Sequence, residues 1–394
     1  MITGNKYSFP AIKELLIALL FVVICNSPVY NQNYNISFDH LTVEEGLSQS
    51  TIFSITQDTK GFIWIASRDG LNRYDSHEIK VYRNDPQDPT SLSNNLVNSL
   101  LVDSKGQLWI GTGRGICLYN PEKDNFRRIL NNPGNHSSIS NNNINAIYED
   151  REKNIWVGSQ NGLNIIIGGD TTKIVRFYHN PKIPGSLADN FVRTFFQDKH
   201  GDIWIGTLKG LSQFKTKRQN EYTITNYVYS ENDPNTLSDN WINSIVEVDN
   251  ETLWIGTEKG GLNIFDRKNN IFYSIRNKSK NPQYKSLLSK VGQQIRIIKK
   301  DNNDQYWIGV LGGLYVYDPL NRQIHEYNSN TDNSSSLSDN SIRSIFIDRD
   351  GSYWIGTYYG GVNFFNPMSK QFDHFKQPDK NSPLLFKIAS ALFE

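Results

Sequence analysis

Cysteine is almost missing from this chain. The 394 residues hold two, Cys25 in the leading segment and Cys117 inside an apolar run. Once the leader is removed no internal disulfide can form, and Cys117 reads as a small buried apolar side chain. No cysteines or histidines stand at metal-ligand spacing. The seven histidines, His77, His136, His179, His200 and His325 among them, fall mainly in turns and loops. A zinc-type centre is excluded on that ground, and neither metal nor cofactor is expected. Charge of one sign is lacking as well: 41 Lys and Arg against 40 Asp and Glu leave +1, with no basic stripe. That balance argues against nucleic acid or an anionic membrane face as partner. Helical periodicity is absent from the chain that follows the leader.

What is present is a repeat. Tryptophan recurs at Trp64, Trp109, Trp156, Trp204, Trp254, Trp307 and Trp354, with gaps of 45, 47, 48, 50, 53 and 47 residues. A period of that length has to be settled before any local motif is read. The last copy shows four strand-length apolar runs, Ser341 to Ile347, Tyr353 to Thr357, Val362 to Phe365 and Gln371 to Lys376. Rich in Ile, Val, Phe, Tyr and Trp and parted by turn residues, they predict an antiparallel four-stranded meander. Asp58-x-x-Gly61, Asp103-x-x-Gly106, Asp198-x-x-Gly201 and Asp348-x-x-Gly351 predict tight hairpins ahead of the tryptophan strand. Repeats three, five and six depart from this, with Lys153-Asn154, Asp249-Asn250 and Asp301 to Asp304. After the tryptophan strand comes Gly-Thr-x-x-Gly, in which glycine admits a neighbouring backbone and threonine can bond back to the main chain.

One such sheet exposes two apolar faces, and stacking sheets around an axis covers both. The fold predicted is therefore all-β, a seven-bladed β-propeller of four-stranded antiparallel blades over residues 36–380, with an open array of sheets as the alternative. Ile36 to Leu41 mirrors Gln371 to Phe375, as a ring needs if chain from both ends joins the first and last blades. Residues 1–30, with Lys6 and Lys13 before Leu15 to Ile24, read as a signal peptide, too short to span a membrane. An uncleaved anchor is the alternative, and lipid attachment at Cys25 is disfavoured by Ile24. Residues 381–394 align with the inner strand of an eighth repeat that breaks off, as in the front part of a longer protein or a truncated reading frame. Polar loops such as Asn84 to Asn95 and Asn232 to Asn240 join the blades, and Lys278 to Gln294 in repeat six breaks their pattern.

Ligand contacts in a propeller are expected at the mouth of the central channel. Eleven positions before each repeat tryptophan stand Phe53, Asn98, Asn145, Arg193, Asn243, Arg296 and Arg343. Six of the seven are polar, so a polar ring is expected, with Asn and Arg suited to hydroxyl and carboxylate groups. The competing reading is that they bond loop carbonyls and channel water. Trp241, Tyr358 and Tyr359 are candidates for stacking on a sugar ring, and Arg68, Arg114, Lys209 and Lys259 could add charge; each can equally be a solvated or packing residue.

The run Asp-x-x-Gly-x-Leu/Ile-Trp-Ile-Gly-Thr-x-x-Gly-Gly-Leu-Asn with its Ser-Leu-Ser-Asp-Asn loop resembles the two-component regulator propeller repeat, over about residues 36 to 394. The resemblance implies the periplasmic sensing half of a hybrid two-component histidine kinase, exported, membrane-anchored and dimeric in its full-length form, with a second propeller or partner subunit and a ligand drawn from polysaccharide breakdown. No second hydrophobic span, kinase histidine box or ATP-binding glycine box occurs here, so only the input module carries over and no enzyme is expected. The alternatives are a propeller lyase or hydrolase, which needs paired carboxylates or a His/Tyr constellation at the channel, and a protein-docking scaffold.

Overall fold

The computed structural model describes residues 36–216, 221–292 and 294–368. The expected signal peptide, the run Gln371 to Lys376 and the eighth repeat at 381–394 lie outside them. Twenty-eight strands, all in the unit that begins at Ser37, pair into seven four-stranded antiparallel sheets. Blade one runs Ile52–Gln57, Ile63–Ser67, Gly70–Tyr74 and Ile79–Tyr82 from the axis outward. The inner strands of the next five are Val97–Val102, Ile144–Glu149, Val192–Gln197, Ile242–Glu247 and Ile295–Lys300. Each inner strand neighbours the next, and the seventh, Ile342–Ile347, returns to the first. The fold is the seven-bladed propeller that the repeat predicts.

The seventh blade takes its outer strand from the start of the chain: Asp39–Leu41 pairs with Val362–Phe365, Asp39 opposite Phe364 and Leu41 opposite Val362. The leading strand thus occupies the outermost place, as its likeness to Gln371 to Phe375 implied. The expectation that Gln371 to Lys376 forms a run of this blade falls outside the described residues. Thr51 donates to the Tyr358 carbonyl at 2.8 Å and Arg349 to the Asp58 carbonyl at 2.7 Å, tying blade seven to blade one at both ends of the inner strands.

Burial explains why sheets stack rather than stand alone. Every repeat tryptophan is at most 6% exposed and lies against the following blade. Trp64 packs on Tyr119, Trp156 on Phe195 and Phe214, Trp204 on Phe265, and Trp354 returns to Tyr74 of blade one. Removing 150–250 Å² per ring from water is worth about 4 to 6 kcal/mol as an upper figure. The glycine after Trp-Ile lets this happen: a Cβ on Gly356 would sit 2.7 Å from Ile52 Cγ2 of the next blade.

Six of the seven indoles are also latched. An aspartate six residues earlier accepts the indole N–H through one oxygen, as Asp58 does from Trp64, Asp103 from Trp109 and Asp198 from Trp204, each at 2.8 Å. The other oxygen accepts turn amides, His200 and Asp202 in the case of Asp198. Where the Asp-x-x-Gly motif lacks glycine, Lys153 (φ 68°) and Asp304 (φ 61°) take the left-handed conformation instead. Blade five carries Val248 at the aspartate's place, and the Trp254 indole nitrogen is buried without that acceptor. The Gly-Thr threonines bond back as expected, Thr207 to the Gly210 carbonyl at 2.7 Å. Loop asparagines close the connections, with Asn142, Asn190 and Asn240 each accepting a loop N–H at 2.7 Å.

Helical turns were not anticipated, and among the described residues, apart from a 3-10 turn at Ile167–Gly169, they fall in one loop. The irregular loop of repeat six forms two 3-10 turns and a short helix, α1 (Lys285–Lys290). Blade five's outer strand, Ile271–Tyr273, is only three residues long, and Tyr284, Leu287, Leu288 and Val291 fill the space beside Trp254.

Candidate functional site at the channel mouth

All seven inner strands begin with a β-bulge, and the bulged residue is the one singled out from the sequence. Pairing skips from Ile52 to Ser54, Val97 to Ser99, Ile144 to Ala146, Val192 to Thr194, Ile242 to Ser244, Ile295 to Ile297 and Ile342 to Ser344. The residue left unpaired is Phe53, Asn98, Asn145, Arg193, Asn243, Arg296 or Arg343. A bulge releases one residue from the alternation of faces and re-aims its side chain, which is why a polar residue is admitted among apolar neighbours. Beside each bulge the turn after the tryptophan strand is pinned by one N–H, for example Glu258 to the Trp241 carbonyl at 3.0 Å and Tyr358 to the Ser341 carbonyl at 2.9 Å.

The ring is not uniform. Asn98, Asn145 and Asn243 each donate to a carbonyl at the start of the next blade's inner strand, Ile144 at 2.8 Å, Val192 at 2.9 Å and Ile295 at 2.9 Å. These three asparagines brace neighbouring blades. The three arginines behave differently. Arg193 lies over the Trp241 ring at 5.2 Å and donates through Nε to Asn243 Oδ1 at 3.2 Å. Arg343 stands 5.2 Å from the rings of both Phe53 and Tyr358. Arg296 pairs with Glu258 at 2.6 Å.

Glu258 is the residue that the sequence reading missed. Its side chain is 8% exposed and accepts from Arg296 and from Asn243 (2.8 Å) on one oxygen and from Gln294 (2.8 Å) on the other. A signal for it existed: at the seven equivalent turn positions, Arg68, Gly113, Gln160, Leu208, Glu258, Leu311 and Tyr358, it is the one acid. Burial pushes the Arg193 guanidinium down to about 10; Glu258 opposes the change, and Arg343 and Arg296 add to it. Arg343 is lowered for the same first reason, with Arg296 next. The three cations therefore feel one another across the mouth.

Of the remaining candidates, Tyr358 is half-buried and edge-on to Tyr359 at 4.6 Å, while Tyr359 is 73% exposed. Lys209 pairs with Asp189 at 3.3 Å, and Asp239 accepts the Lys259 main-chain N–H. A cleft of about 510 Å³ lies at the Asp-x-x-Gly turns of blades one and two, lined by Asp58, Phe62, Arg73, Asp103, Tyr119 and Arg127. Its acids already hold Trp64 and Trp109, so it is a seam between blades rather than the better ligand site.

A family model described as "Two component regulator propeller" matches residues 46–69, 91–114, 138–161, 186–209, 236–259 and 336–359. Six of the seven blades thus carry a two-component regulator propeller repeat. The repeat that goes unmatched is the one holding α1. Among solved structures, the extracellular domain of the hybrid two component system BT3049 from B. thetaiotaomicron is similar at 27% identity and a TM-score of 0.69, over 84% of this chain and 41% of that one. A catalytically inactive virginiamycin B lyase from Staphylococcus aureus aligns at 15% identity and a TM-score of 0.56, over 84% of this chain and 98% of that one, and shares the fold. Histidine kinase P4 of Formosa agariphila is 50% identical over 62 residues, 16% of this chain and 4% of that protein. This regulator propeller spans about two fifths of the B. thetaiotaomicron domain.

Proposed function

We propose that this regulator propeller is the ligand-binding input of a two-component phosphorelay, placed outside the cytoplasm, and that it recognises a carbohydrate or related metabolite at the channel mouth without transforming it. The observation that carries this reading is the convergence of Arg193, Arg296, Arg343 and Glu258 beside the Trp241 and Tyr358 rings, in a chain built from regulator repeats. Guanidinium donors and aromatic faces are what sugar hydroxyls and ring C–H faces require. A second propeller or partner subunit belongs to the same proposal, with the relay's output driven through it.

The test is calorimetric titration of the purified chain against an oligosaccharide panel. Binding that disappears in the Arg193→Ala, Arg343→Ala double variant supports the mouth, and binding left intact removes it.

The lyase likeness raises an enzyme as the second reading. Acid–base chemistry asks for two groups with separated roles. Among the described residues Glu258 is the one mouth carboxylate of the bulge and turn rings, and three donors already hold it. Turnover of any panel member by the purified chain would favour the enzyme instead.

A further inference from the structure

We infer that the mouth selects an acidic ligand, a saccharide fragment bearing carboxylate or sulfate groups, over its neutral counterpart. This rests on the reading of the mouth as the ligand site and adds the ligand's charge to it.

The charge count is the first reason. Three guanidiniums of the bulge ring meet one carboxylate, Glu258, in a half-buried space, and Arg68 of the turn ring is a further, exposed cation, so positive charge is in excess by at least two. Like charges held there repel, and the loop acids Asp189 and Asp339 already have partners of their own. Asp189 pairs with Lys209, while Asp339 accepts the main-chain N–H groups of Ser341 and Tyr359. A ligand with two negative charges relieves the excess.

Donor supply is the second reason. A guanidinium has five N–H donors in a planar fork that fits an oxoanion with two parallel bonds. Arg193 spends Nε on Asn243, and Arg343 faces two rings. The Arg296 Nε and Trp241 Nε1 atoms are buried without a partner among the described residues. Stacking against Trp241, Phe53 and Tyr358 fixes the planes of Arg193 and Arg343 before any ligand arrives, so little side-chain freedom is lost on binding. Buried donors without acceptors are the complement of a ligand rich in acceptors and poor in donors.

The experiment compares digalacturonate with galactobiose of the same linkage, which carries hydroxymethyl groups in place of the carboxylates, and a sulfated chondroitin disaccharide with an unsulfated one, which keeps its uronate carboxylate, with malonate as a minimal dianion. Calorimetry of the full chain should show digalacturonate binding at least about 100-fold more tightly than galactobiose, the equivalent of one or two charge-assisted bonds, and the sulfated chondroitin disaccharide binding more tightly than the unsulfated one, which carries one charge fewer. Affinity should fall as salt rises from about 50 to about 500 mM, since the screening length shortens severalfold. Arg193→Gln and Arg343→Gln should each weaken acid binding about 10- to 100-fold with the melting temperature preserved. Glu258→Gln keeps an acceptor but removes the lone negative charge, and it should tighten acid binding up to about tenfold.

The digalacturonate and sulfated arms distinguish the two acid types. Equal affinity for galactobiose and digalacturonate overturns the inference, and so does acid binding that is indifferent to all three variants. Silence from every acid, malonate included, overturns it too. The sensor reading falls only if the neutral members of the panel are silent as well.

Discussion

Asp198 offers the sharpest test of how the ring is held. It is fully buried, accepts the Trp204 indole N–H at 2.8 Å and two turn amides, and faces Arg267 at 3.2 Å. Arg267, 14% exposed, also pairs with Glu247 at 2.9 Å and lies 5.6 Å from the Trp204 ring. In Asp198→Asn the carbonyl oxygen can keep the turn amides, which leaves the new NH2 pointing at the indole N–H and at the guanidinium. A charge-assisted bond worth about 1.5–3 kcal/mol is lost, and stripping a buried cation of one partner brings the total to about 3–5 kcal/mol. Asp103 provides the control. It holds Trp109 and its turn in the same way, with no ion pair at its carboxylate among the described residues. Asp103→Asn should therefore cost only about 1.5–3 kcal/mol. Urea unfolding, followed by tryptophan fluorescence and by far-UV circular dichroism to test for a single transition, gives both values. If the two variants lose the same stability, the Arg267 contribution is nil and the latch reasoning fails at blade four.

Other perturbations follow from the same contacts. Gly356→Val should destabilise by about 1–3 kcal/mol through overpacking against Ile52, read as a shifted urea midpoint. Glu258→Ala leaves Arg296, Asn243 and Gln294 without their acceptor and should cost about 3 kcal/mol in the same assay. Burial pushes the Asp124 carboxyl up, but bonds from Lys80, Tyr119 and Tyr82 outweigh it and hold the group at about 2. Its folded value is depressed, so its contribution is complete above about pH 4 and is lost as pH falls from there towards 2. Discounted for solvent screening it is about 1 kcal/mol. Asp124→Asn should flatten that part of the stability–pH curve, and an unchanged slope between pH 4 and pH 2 would contradict the assignment. Tyr359→Ala, at a 73% exposed position, should stay within about 0.5 kcal/mol of the parent.

Much of this architecture could be read from the chain, because the tryptophan period and the turn chemistry point to the same blade. The ring positions could be reached as well: counting back from each tryptophan lands on the skipped residue in all seven sheets, polar in six and Phe53 in blade one, although the bulge itself was not read from the chain. What escaped the sequence were pairings between blades. Glu258 looked like one more turn residue, and only folding brings it to Arg296 and Gln294, 38 and 36 positions away. The six-residue spacing from aspartate to tryptophan was visible in six repeats, yet the indole bond depends on the hairpin curling back over its own strand. Helix α1 was hidden for a different reason. Six residues are too few to show a period, and it forms where a shortened outer strand leaves tryptophan uncovered.

The strand Asp39–Leu41 sets an order of events during synthesis. It leaves the ribosome before any sheet exists, and its partner Val362–Phe365 is made more than 300 residues later. Six wedges can assemble while it waits, with both ends of the arc bare. Closing the circle is thus the last step in building this ring, and stalled translation before Phe365 releases an open fan whose naked rims invite pairing with other chains.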